Sequence, residues 1–382
     1  MRRFVYMDNG ATTVVDSEVV KTMLPYFTEK FGNASSVHGK GQEAKRVLEE
    51  SRETVAKSIR AKPSEIIFTS GGTESDNLAI KGVVYNDKEK NHIITSNIEH
   101  HAVLNTCKEL EKEGFKVTYL DVDKEGFIDL EQLEKSITDK TALVSIMQGN
   151  NEIGTIQDIE KIGKICKKNS VLFHSDTVQS FTKTPLDVKR VNVDLLSFSA
   201  HKIHGPKGVG ALFVREGVKI KPLYQGGAHE RGIRPGTENI SGIVGFAKAV
   251  SLCKSGHVEH MKKLRDYFID SVLKDIDDVL LNGPRKERLC NNANLCFRHV
   301  EGEGLGAYLD VNGICVSSGS ACSSLELKPS HVLTAIGLNK ELANGSLRFT
   351  LSRFTTKEDI DYVLENLVKH VGKLRKISPL RS

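Results

Sequence analysis

Short apolar runs rich in β-branched residues recur through the first half of the chain: Glu65–Thr69, His92–Ser96, Lys116–Val122, Ala142–Met147, Val171–His174 and Val193–Phe198. Between several of them, as at Glu99–Gly114 and Ile156–Lys168, charges fall on one helical face and Leu, Ile or Val on the other. A strand, a crossover helix and a parallel strand consume about that much chain. The pattern predicts an open α/β sheet, mostly parallel, with helices on both faces. Gly208–Val214 adds a seventh strand, and its short connection predicts an antiparallel one.

The texture changes after His229. The stretch AHERGIRPGTEN gives way to helical patterns over Ile240–Lys254 and Val258–Lys274. Strand-like runs at Asn294–Arg298, Ile314–Ser317 and Leu347–Leu351 then alternate with helices, the last over Thr356–Lys373. The expected organisation is a large domain over residues 13–258 and a smaller α+β domain from residues 1–12 and 259–382.

A length of 382 residues suits two domains, and 39% hydrophobic with 27% charged residues is ordinary for a globular protein. The net charge of +5, from 54 basic and 49 acidic residues, is too dilute to argue for a nucleic-acid partner. The basic tail KHVGKLRKISPLRS from Lys369 reads as a solvated helix face. No segment approaches the ~20 apolar residues a membrane span needs, and the start MRRFVYMDNGATT lacks a signal-peptide core. Seven cysteines without a CxxC pair speak against a disulfide framework or structural zinc site; a reducing, cytoplasmic setting is expected.

Ligands of open α/β sheets sit beyond the carboxyl ends of the strands, so residues there are the candidates for chemistry. The first is SGGTESDN from Ser70, two glycines opening a helix whose N–H groups would hold an anion, with Thr73 placed to cap it. The turn matches neither GxxxxGK[ST] nor GxGxxG. The next strands lead into SNIEHHAVL with Glu99, His100 and His101, then QGNNEIG, SDTVQS and SFSAHKIHGPKG. Asp176 follows an apolar strand, where a lone carboxylate is costly without a cationic partner. Lys202 lies between two histidines. A phosphate cradle, an aspartate after a strand and a lysine after Ser-x-His together describe a pyridoxal-phosphate site.

Ten ordered stretches resemble the cysteine desulfurases of the class V aminotransferase group, of the iron–sulfur-cluster-assembly type. They are DNGATT, NASSVHGKG, TSGGTESDN, EHHAVL, NNEIG, SDTVQ, SFSAHKIHGPKG, GGAHERGIRPGTEN, SSGSAC and LRFTLSRFTT, running from Asp8 to Thr356. The resemblance implies the type I fold of pyridoxal-phosphate transferases and a homodimer with sites near the subunit interface. It implies a covalent cofactor bond at Lys202, a ring stacked on His100, and Asp176 and Gln179 on the ring's nitrogen and phenolic oxygen. Phosphate would be held by Gly72, Thr73, Ser199 and His201, with Thr237 entering from the other subunit. Asn151 and Arg348 would bind the substrate carboxylate. Cys322 would take sulfur from L-cysteine as a persulfide and pass it to a scaffold protein. No resident metal is implied; Cys322 is the one candidate for transient contact with a cluster. Ala34 replaces a commoner proline and Gly10 a commoner alanine, neither removing a reactive group.

Cys322 itself lies in SSGSACSSLEL, where small residues restrict the backbone little and offer the thiol no packing partner. That suits a carrier that must reach a buried sulfur and then another protein. A selenocysteine lyase or another class V enzyme remains an open alternative, because its cofactor chemistry is nearly the same. A non-catalytic assembly partner fits less well, since it has no use for Lys202, Asp176, Arg348 and Cys322 together.

Overall fold

The computed structural model describes residues 3–87, 89–318 and 329–378. A two-residue strand, β1 (Val5–Tyr6), precedes the strands of the large sheet: β2 (Ile66–Thr69), β3 (His92–Ser96), β4 (Lys116–Leu120), β5 (Thr141–Ser145), β6 (Leu172–Asp176), β7 (Leu195–Ser199) and β8 (Gly210–Val214). Their spatial order is β2-β8-β7-β6-β5-β3-β4, and β8 runs antiparallel to both neighbours while the other pairings are parallel. Consequently β2, β3, β5, β6 and β7 all end at one edge.

Side chains alternate across this sheet, as a period of two requires. Ile66, Phe68, Leu196, Phe198 and Phe213 pack on one face, with helices Gly39–Ser58, Ile159–Lys168 and Ile240–Ser251. Ile67, Leu195, Leu212 and Val214 pack on the other, with helices Gly72–Val84 and His101–Lys112. Apolar residues on both faces explain why these strands read as continuous runs rather than alternating ones.

The remaining strands are β9 (Val279–Leu281), β10 (Asn292–Phe297), β11 (Ile314–Cys315), β12 (Ser317–Ser318) and β13 (Ser346–Thr350). They form a four-stranded sheet, β12-β13-β10-β9, and a parallel β1–β11 pair. Helices Ser255–Asp275, Gly302–Val311 and Lys357–Ile377 cover this region through Phe268, Ile269, Leu305, Leu309, Val363 and Leu367. Thr356 and Asp359 start the last helix with a reciprocal cap, which contributes about 1 kcal/mol.

The expected α/β class, both layers and the antiparallel β8 are present, with four local corrections. The single strand expected at Ile314–Ser317 is two, because the chain changes partner across Val316, from β1 to β13. Asp176 does not follow β6 but ends it, in register with Ser197. Thr73 caps nothing; Gly71 is the N-cap of its helix, which therefore starts without a side-chain cap. The helix from Ile240 stops at Ser251, because Lys254 adopts an extended backbone before the next helix begins.

Candidate active site

A cavity of about 340 Å³ opens at the carboxyl edge of the large sheet. Its lining includes Gly72, Thr73, His100, Asn151, Asp176, Gln179, Ser199, His201, Lys202 and Arg348. Those residues are scattered over nearly 280 positions of sequence, from 72 to 348, and the strand ends bring them together.

Gly71 takes φ +154° in the turn after β2, a backbone that side chains disfavour. A Cβ on Gly72 would lie 2.7 Å from Cγ2 of Val178, so glycine lets the turn approach the β6 end. The helix Gly72–Val84 therefore begins uncapped, facing the cavity, and its amides and dipole suit an anion such as a phosphate.

Asp176 lies at the floor and its Oδ1 accepts the Val178 amide at 2.9 Å. Burial pushes its carboxyl up to about 6, against the Val178 amide and the Lys202 charge. At neutral pH it is a buried anion, ready for a cationic ring. His100 caps the helix His101–Lys112, its Nδ1 accepting the Ala102 amide at 3.1 Å. Burial, then the charges of Lys202, His101 and His331, push it down to about 4, so the ring is neutral at pH 7. His201 is pushed to about 4 by burial and by Lys202, and its Nδ1 sits 3.1 Å from Thr12 Oγ1.

Lys202 follows β7 in a single helical turn, Ala200–Lys202, and its Nζ donates to the carbonyls of Gly10 and Ala11, both at 2.7 Å. Gln179 donates to the same Gly10 carbonyl at 2.9 Å. On the far wall, Arg348 of β13 donates to the Asn151 carbonyl and to Asp8 Oδ1, both at 2.9 Å. Its Nε is buried without a hydrogen-bond partner. A guanidinium so held offers an unmet donor to a carboxylate.

Two expected residues lie elsewhere. Thr237 is exposed and does not line this chain's cavity. Cys322 lies outside the described residues, but both flanks of its segment are placed. Ser317 pairs with Arg348 across β12 and β13. Ser330 donates to the buried Glu152 carboxylate, next to Asn151. His331 Nε2 sits 2.9 Å from the carbonyl oxygen of Glu99.

The sequence reading missed Asp8 and Asp76 although both stand inside motifs it used. Asp76 comes four residues after Gly72 and so shares its helical face, a spacing that could have flagged it. Asp8 carries no such signal, because its role depends on an arginine 340 residues away.

The model of the aminotransferase class V family matches residues 5–363. A relative named cysteine desulfurase IscS from Dictyoglomus turgidum is 54% identical over 385 residues, covering 100% of this chain and 98% of its own. One of the same name from Clostridium botulinum is 52% identical, covering 100% and 97%. Among solved structures, a NifS-like protein superposes with a TM-score of 0.91 at 42% identity, covering 98% of this chain and 100% of its own.

Proposed function

The chain belongs to the class V aminotransferase family, and we propose that it converts L-cysteine to L-alanine, with pyridoxal 5′-phosphate as cofactor, and keeps the sulfur as a persulfide. The observation that carries this reading is one cavity holding an uncapped helix start, a buried aspartate, a neutral histidine and a lysine, walled by Arg348. These donors fit the cofactor. The anion seat at Gly72 and Thr73, with Ser199 and His201, suits its phosphate, and Asp176 suits a protonated ring nitrogen. Bound there, the cofactor accepts the electron pair released at the substrate's Cα.

The protein's own groups do the rest. Lys202 would hold the cofactor and, freed by the substrate as a neutral amine, would take the Cα proton. Its two carbonyl acceptors, Gly10 and Ala11, would then hold the ammonium formed when that amine has taken the proton. Arg348 holds the substrate carboxylate, helped by Asn151, and so fixes which bond faces the thiol. His100, neutral and half-buried, would cover the ring without adding charge, while Gln179 would contact its phenolic oxygen. The Cys322 thiolate attacks Sγ, an S–S bond forms as the C–S bond breaks, and protonation of the carbon skeleton leaves alanine. The flanks of its segment, at Ser317 and Ser330, begin and end beside Arg348 and Asn151, which supports this reach.

Persulfide sulfur passes to a scaffold protein for iron–sulfur assembly. The protein acts as a homodimer, which the exposed Val14, Leu24, Phe27, Phe31 and Val37 support. Thr237, exposed in its own chain, then completes the partner's phosphate seat. It works in the cytoplasm, in keeping with the free thiols of Cys107, Cys166, Cys253, Cys290, Cys296 and Cys315. No helix among the described residues is long and apolar enough to cross a membrane.

The test supplies L-cysteine with a reductant and measures alanine and sulfide, which should appear in equal amounts. Cys322→Ser should keep its yellow cofactor and lose roughly 100-fold or more of the sulfide output. Unchanged sulfide from that variant would overturn the role of Cys322, and a colourless wild type would overturn the cofactor.

A further inference from the structure

One buried acid of the cavity has no part in the chemistry so far. Asp76, on the helix Gly72–Val84, is 1% exposed and lines the cavity. Its carboxylate, that of Asp176 and a ring nitrogen of His100 offer atoms that all lie within 4.8 Å of one another. Its Oδ1 has no hydrogen-bond partner. His174 Nε2 approaches it to 3.6 Å, and the same nitrogen lies 3.0 Å from Ser197 Oγ. The other ring nitrogen of His174 is engaged by Ser145 Oγ at 2.8 Å.

Two ionised carboxylates at this separation repel strongly unless a fixed cation lies between them. Among the described residues, the ion-pair contact of Asp76 is with His174. His174 is fully buried and pushed down to about 3, so it is neutral, and His100 is neutral as well. Glu99, fully buried behind them, is pushed up to about 8 by burial, against the Ser96 hydroxyl and the Met147 amide. Lys202 lies near enough to lower Asp176. The proton of the pair therefore belongs on Asp76, whose carboxyl is pushed up first by burial and then by Asp176, against the Ser197 hydroxyl, with Glu99 adding to the rise.

We propose that Asp76 is a positioning residue that works as a neutral acid: it keeps a single negative charge on the cavity floor, matched to one protonated ring nitrogen, and its proton is available to steady Asp176. The proposal rests on the cofactor reading above. A floor bearing two charges would be costly when empty and overcharged when the cofactor is bound; a floor bearing none would not hold the ring nitrogen protonated.

Two measurements on the holoenzyme test it. The first follows melting temperature against pH for wild type and Asp76→Asn. Unfolded, Asp76 ionises in the ordinary carboxylate range; folded, it stays protonated to higher pH. Wild type thus loses this contribution to stability as pH rises from about 4, and the asparagine loses nothing. The advantage of Asp76→Asn over wild type should grow between pH 5 and pH 8, and a difference constant with pH overturns the proposal. The second compares cofactor affinity at pH 7 after resolution and reconstitution. Asp76→Asn, which keeps a donor without charge, should hold the cofactor within about threefold, and Asp76→Leu should lose about tenfold, the loss of one buried hydrogen bond. Equal affinities for the two variants, or a tenfold loss with asparagine, overturn it. Should Asp76→Leu fail to fold, the asparagine arm decides alone. A wild type that binds no pyridoxal phosphate fails the cofactor reading instead, and the melting comparison still reads out Asp76.

Discussion

The floor and the far wall of the cavity are built in opposite ways. The floor comes from the large sheet, where consecutive strand ends deliver Asp176, Ser199 and Lys202 with the helix starts that follow β2 and β3. Those groups are rigid because each sits within three residues of a strand with apolar packing on both faces. The far wall comes from the small sheet and supplies Arg348, held by Asp8 from the N-terminal segment and by the Asn151 carbonyl from the loop after β5. In the proposed reaction the floor supplies covalent and electrostatic chemistry on a fixed frame. The wall is recognition by one side chain, tied to two distant parts of the chain.

That difference predicts graded responses. Removing the floor's reacting group should be most damaging: Lys202→Ala should lower alanine formation by roughly 10³-fold or more, through loss of proton transfer at Cα. Retention of most activity would show that the floor is not where the proton moves. Damage to the wall should be smaller and of another kind. Arg348→Lys keeps the charge and loses the planar fork, so KM for L-cysteine should rise about tenfold with kcat less affected. A fall confined to kcat would blur the distinction drawn between wall and floor.

The smallest effect belongs to the clasp that joins the two regions. Ser330 donates to Glu152 and caps the short helix His331–Ala335, accepting the amides of Val332 and Leu333. Glu152 is fully buried and pushed up to about 7 by burial, against the Ser330 hydroxyl and the Arg348 charge. Ser330→Ala should cost about 1–2 kcal/mol in denaturant unfolding, the loss of a cap together with a buried hydrogen bond. A loss well beyond that would mean the small region depends on this contact for its placement as well as its stability.

Much of this was legible in the chain. Runs of Ile, Val, Leu and Phe marked all seven strands of the large sheet to within two or three residues, because strands buried on both faces must be apolar throughout. The polar residues that follow those runs were legible for the same reason: a buried sheet tolerates charge only at its ends. Boundaries were less so. Asp176 was placed one step beyond a strand that in fact includes it, since register with Ser197, not its own polarity, sets where pairing stops.

What the sequence by itself determined was a set of candidate groups, Lys202, Asp176, His100, Arg348 and Cys322, and the frame that would carry most of them. Their types and order follow from chemistry that needs a lysine, a carboxylate and a thiol. Tertiary structure alone decided the environments. Asp76 becomes a second acid beside Asp176 because a glycine turn lets its helix approach the end of β6. Asp8 becomes the partner of Arg348 because the N-terminal segment lies against β13, where Asp8 bridges to Thr350. Protonation and ion pairing depend on distance and on exclusion of water, and neither is written in the order of residues along a chain.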